Sequence, residues 1–104
     1  PGKSVQLKSD EIAIVQREVS HQLRDEASAR FRDDIAAAEL FDGSYSVCGS
    51  VNGKNAFGAY AGYTLFWGIY YPEEKRVAFV IAGGNAPITS CSMTGVLRKG
   101  NGLF

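Results

Sequence analysis

Few side chains in this chain can do covalent or acid–base chemistry. Cys48 and Cys91 are its only cysteines and His21 its only histidine. A thiol nucleophile needs one of those cysteines beside His21 and an orienting third group. That arrangement stands as the alternative reading, a small thiol- or hydrolase-type enzyme using Cys48 or Cys91 with His21. His21, however, falls two positions from both Val19 and Leu23, toward the polar side of a helical pattern, where a solvated imidazole is expected. One histidine and two isolated cysteines provide no C-x-x-C or H-x-x-x-H pair, so neither a metal nor another cofactor is expected. Ser44, Ser46 and Ser50 lie outside any G-x-S-x-G elbow, and Gly83-Gly84 lacks the Lys-Ser/Thr of a phosphate loop. The adjacent carboxylates Asp33-Asp34 and Glu73-Glu74 would point apart in a strand or turn. No catalytic constellation emerges, and the expectation is a protein that is not an enzyme.

The cysteines then have two outcomes. In an exported protein a Cys48–Cys91 bridge would close a 43-residue span and contribute about 4 kcal/mol by loop entropy, tying down the C-terminal part. In a reducing compartment Cys48 would be a small buried hydrophobe and Cys91 an exposed thiol.

Binding residues are easier to nominate than catalytic ones. Asn52, Lys54 and Asn55 follow a strand pattern and form a candidate recognition loop, with Tyr60, Tyr63 and Trp67 as the aromatic neighbours on which a partner would rest. Phe57, Tyr60, Tyr63, Phe66, Trp67, Tyr70 and Tyr71 crowd into fifteen residues, so both faces of the strand carrying them are substantially apolar. One face belongs under a helix. The other is covered by residues 30–42 and the tail or is exposed as a binding patch.

The run Val47-Cys48-Gly49-Ser50-Val51-Asn52-Gly53-Lys54-Asn55-Ala56-Phe57-Gly58-Ala59-Tyr60-Ala61-Gly62-Tyr63 resembles the C-G-x-V-N-x-K-N-x-F-G-G-Y-x-G core of a family of small bacterial proteins of unknown function. An upstream D-P-x-S-A-x-F element of that family would correspond to Asp25-Glu26-Ala27-Ser28-Ala29-Arg30-Phe31, with Glu26 where proline is usual. Ala59 stands where the second glycine is usual, which weakens any requirement for positive φ there. The resemblance covers about residues 25–66. It implies an exported or lipoprotein-like protein of the bacterial envelope, periplasm or medium, and brings no activity with it.

Certain elements must position these residues. Ile12, Val15, Val19, Leu23 and Ala27 form one apolar stripe, predicting an amphipathic helix over about 9–29 with Ser9 or Asp10 as N-cap. Arg30–Ile35 is read as extended. Residues 44–51 are a strand with Tyr45, Val47, Gly49 and Val51 on one face and Cys48 on the other, and Asn52-Gly53 signals a tight hairpin turn. Residues 55–71 follow as one long or broken strand, Pro72 begins a turn, residues 77–82 form a third strand, and residues 86–104 are an irregular tail. The expected fold is a single α+β domain, residues 1–104, with the N-terminal helix on a three- to four-stranded antiparallel sheet over about 44–82.

Charge narrows the partners. The 11 basic and 11 acidic residues cancel, which argues against a nucleic-acid partner. Residues 1–42 carry −3 (6 basic, 9 acidic) and one glycine; residues 43–104 carry +3 (5 basic, 2 acidic), 11 glycines and 10 of the 12 aromatics. No window is apolar for the length of a membrane span. The first residue is Pro1, so either a targeting segment has been removed or Pro1-Gly2 is an expression remnant. The resulting expectation is an extracytoplasmic binding module, monomeric or weakly self-associating, with an unidentified protein or cell-envelope component as partner.

Overall fold

The helical stripe before residue 24 and the alternation after residue 44 become two helices and six antiparallel strands in the computed structural model, which describes residues 3–93. In chain order these are β1 (Lys3–Val5), α1 (Ser9–Ser20), a 3₁₀ turn (Glu26–Ser28), β2 (Arg30–Phe31), β3 (Ala36–Glu39), β4 (Tyr45–Asn52), β5 (Thr64–Tyr71), β6 (Arg76–Ala82) and α2 (Ala86–Met93). The sheet runs β1-β3-β4-β5-β6, and β2 pairs with the end of β4. The fold is α+β, as the sequence predicts.

Each face of the sheet carries a helix. Val15 and Val19 of α1 bury against Val47, Val51, Phe66 and Tyr70, while Cys91 of α2 packs with Ala38, Cys48 and Leu65 on the other face. Alternation along β4 is as expected, with Val47 and Val51 toward α1 and Cys48 away from it. Phe66 and Tyr70 are fully buried, and each contributes roughly 1.5–3 kcal/mol by leaving water. Phe66 lies over its cross-strand partner Gly49, where an added Cβ would stand 2.6 Å from the ring Cζ. The glycine makes room for the ring that fills the centre of the core.

Several boundaries differ from the sequence reading. Helix α1 stops at Ser20, not near Ala29; Ser20 Oγ donates to Gln16 O at 2.7 Å and the chain tightens into short turns at Gln22 and Leu23. Its N-cap is Lys8, whose backbone N–H donates to Glu11 Oε1 at 3.0 Å. Tertiary contact overrides propensity here, because the chain must turn back for Leu23 to pack on Gly53 and for Ser28 to reach the β4–β5 loop. Ala36–Glu39, whose residue types favour helix, is a strand, since Ala37 and Ala38 bury on opposite faces of a sheet covered on both sides. With β1 and β2, the sheet has six strands instead of three or four. The tail from Ala86 is not irregular throughout: Ala86–Met93 is helical, Pro87 sits in the first turn where its missing N–H costs nothing, and Pro87 and Cys91 share the buried side. The rest of the expected tail, 94–104, lies outside the described residues.

Beside β4 the chain runs in two registers. Arg30 and Phe31 pair with Asn52 and Val51, whereas Ala36 to Glu39 pair with Cys48 to Tyr45. Residues 32–35 therefore face only Gly49 and Ser50, two residues more than the register needs. The surplus is pinned by Asp34, whose carboxylate accepts the Ser50 N–H at 3.2 Å and the Ser50 hydroxyl at 2.7 Å.

Candidate functional site

Asn52-Gly53 does not close a two-residue hairpin. Val51 pairs with Thr64, so β4 and β5 are joined by a long loop, and the expected strand over 55–71 begins only at Thr64. Gly53 has an ordinary negative-φ backbone and its lack of a side chain instead admits Leu23, whose Cδ1 would lie 3.0 Å from an added Cβ. Asn52 Oδ1 accepts the Gly62 N–H at 3.0 Å across the loop mouth, and Lys54 and Tyr60 form an isolated bridge within it.

At the tip, Asn55 organises the turn. Its Oδ1 accepts the N–H groups of Phe57 at 2.9 Å and Ala59 at 3.2 Å, while its backbone exchanges bonds with Ala59 O and Gly58 N. Gly58 takes φ +80°, which a side chain would resist; Ala59 has no positive φ. The turn presents Phe57 at 94% exposure between Ala56 and Gly58. Ser28 supports the loop from beneath: its hydroxyl accepts the Lys54 N–H at 2.9 Å and its carbonyl accepts the Tyr60 hydroxyl at 2.9 Å.

Arginines from the preceding segment close over the tyrosines. The Arg30 guanidinium carbon lies 4.1 Å from the Tyr60 ring centroid and that of Arg32 4.2 Å from the Tyr63 centroid; Lys54 Nζ is 5.8 Å from Tyr60. Such stacking is worth about 0.5–1 kcal/mol at exposed sites and holds the planar groups in place. Leu23, Arg24, Lys54 and Tyr63 line a surface depression of about 480 Å³ beside the loop.

Of the nominated residues, Lys54, Asn55, Tyr60 and Tyr63 lie in this loop with Asn52 at its mouth, and Trp67 does not belong to it. Trp67 belongs to the α2 face, where its indole N–H donates to Ser46 Oγ at 2.8 Å and its ring meets Phe79 edge-on at 5.1 Å. Arg30 and Arg32 were not singled out from the sequence, although a signal was present: they flank the inward-facing Phe31 with period two inside the stretch read as extended. Phe57 is exposed, because a long loop leaves it no opposite strand to pack on.

The thiol route finds no thiol. Cys48 and Cys91 are bonded to each other, with Cα atoms 6.3 Å apart, and His21 Nδ1 contacts Glu26 Oε2 at 2.8 Å on the surface. Fold and site together describe a disulfide-linked α+β domain that sandwiches an antiparallel sheet between two helices and displays one organised loop. Comparison with protein-family models, curated proteins and solved structures finds no match to this chain.

Proposed function

We propose that this protein is a non-enzymatic binding module acting outside the bacterial cytoplasm, and that it engages a protein or cell-envelope component through the 53–63 loop. The observation that carries this reading is Phe57: nearly all of its surface meets water, yet the Asn55 carboxamide and the positive-φ Gly58 hold its backbone in one place. An ordered aromatic on a rigid loop has already given up the conformational freedom that binding would otherwise remove. Rings of this kind serve as interface anchors. The extracytoplasmic setting is supported by the disulfide, which persists in oxidising compartments, and by the resemblance of residues 25–66 to envelope proteins. The loop is favoured over the aromatic strand as the contact surface because Phe66 and Tyr70 are consumed by the core.

A photo-crosslinking residue at position 57, compared with one at Phe41, tests the reading in the native setting. Phe41 is equally exposed but sits in the β3–β4 turn, away from the loop sequence. One discrete adduct from position 57 and none from position 41 is expected, with Phe57→Ala weakening capture of that adduct's partner at least about tenfold. Equal labelling from both positions, or none from 57, would refute the assignment.

A further inference from the structure

The cations around the loop are not neutralised by any carboxylate among the described residues. Residues 24–34 contain three arginines and four carboxylates, yet no ion pair joins them among the described residues. Phe31 turns inward to meet Phe66 edge-on at 6.1 Å, and alternation puts Arg30 and Arg32 on the other side, over the tyrosines. Glu26 is taken by His21 and Asp34 by Ser50. Arg24, Arg30, Arg32 and Lys54 make no ion pair among the described residues. A guanidinium stacked on a ring keeps its N–H edges free in its own plane, a geometry suited to bidentate capture of a carboxylate.

We propose that this patch docks an acidic segment of a partner protein, whose Asp or Glu side chains pair with Arg24, Arg30, Arg32 and Lys54 while an apolar pocket of the partner receives Phe57. The proposal rests on the loop reading above and adds its ligand chemistry. Directional, preorganised arginines match discrete carboxylates; a lipid surface would need only diffuse charge and a larger inserted apolar area than one phenylalanine provides.

The test is a titration of isotope-labelled protein with octaglutamate, read by amide chemical shifts. Shifts confined to residues 54–64 and 30–32 are expected, with affinity falling as salt rises from about 50 to about 200 mM. The R30Q/R32Q double variant is expected to bind at least about tenfold more weakly, as is the R24Q/K54Q pair, which keeps the test valid if the first loses its fold, while R17Q on α1 binds like the parent. Shifts scattered over the surface, parent-like affinity in both double variants, or sedimentation with phosphatidylglycerol vesicles without glutamate binding would each overturn the proposal. Crosslinking from position 57 alongside a silent octaglutamate titration would overturn the acidic chemistry and leave the loop as the interface.

Discussion

Tyr70 is the residue at which this core is least satisfied. Its ring is fully buried between α1 and the sheet, its hydroxyl makes no well-formed hydrogen bond among the described residues although the Glu11 carboxylate faces it, and burial, then Glu11, push its pKa from 10.0 up to about 12. A buried hydroxyl without a partner costs roughly 1–3 kcal/mol, so Tyr70→Phe is expected to leave the protein as stable or about 1 kcal/mol more stable in urea unfolding at neutral pH. The alkaline limb gives a sharper readout. Above pH 10.0 the unfolded chain releases the Tyr70 proton while the folded chain keeps it to about 12, so stability falls as pH rises through that window. The loss attributable to Tyr70 is roughly 2–3 kcal/mol, and the phenylalanine variant is expected to be flatter by that amount between pH 9 and 12. Parallel curves for parent and variant would contradict this account. At the acid end the exposed Lys75 ammonium, 3.0 Å from Asp10, holds the Asp10 carboxyl below its ordinary 3.8; what this pair contributes is lost as pH falls through that lowered value.

The tip of the β4–β5 loop depends on one carboxamide. Asn55→Ala removes the acceptor for two tip N–H groups, and the expected effect is local: amides of Phe57 and Ala59 exchange at least about tenfold faster while β4 and β5 amides do not change. Uniformly faster exchange would mean that the loop is part of the global fold instead. The long strands were legible because their alternation is regular and their turns are marked by glycine, asparagine or proline. The loop was nominated from Asn52, Lys54 and Asn55, but its length was not legible, because Asn52-Gly53 satisfies the local rule for a tight turn and only Leu23 and Ser28, far back in sequence, show why the chain continues. Ala36–Ala38 has the composition of a helix and becomes strand only because both sheet faces are covered. Helix α2 carries no clear apolar stripe; the i, i+4 pair of Pro87 and Cys91 is the sign that was available.

For the molecule as a whole, the Cys48–Cys91 bond ties the last described helix to the middle strand of the sheet. Reduction is expected to remove about 4 kcal/mol, and an eight-residue helix without that tether is too short to persist alone. The measurement is thermal unfolding by circular dichroism with and without reductant; an unchanged midpoint would show that packing alone holds α2. The charge halves of the sequence also acquire positions: Lys75 in the β5–β6 turn reaches Asp10 of α1, one contact between the acidic and basic parts. The two registers beside β4 have a further consequence. They act like the offset scales of a vernier, since sliding β4 by one pair would have to break the short β2 match, the β3 match and the Asp34 clasp together. A central strand with Ser, Gly and Val along much of its length has little bulk to define its own alignment, and the mismatch in its neighbour supplies that definition.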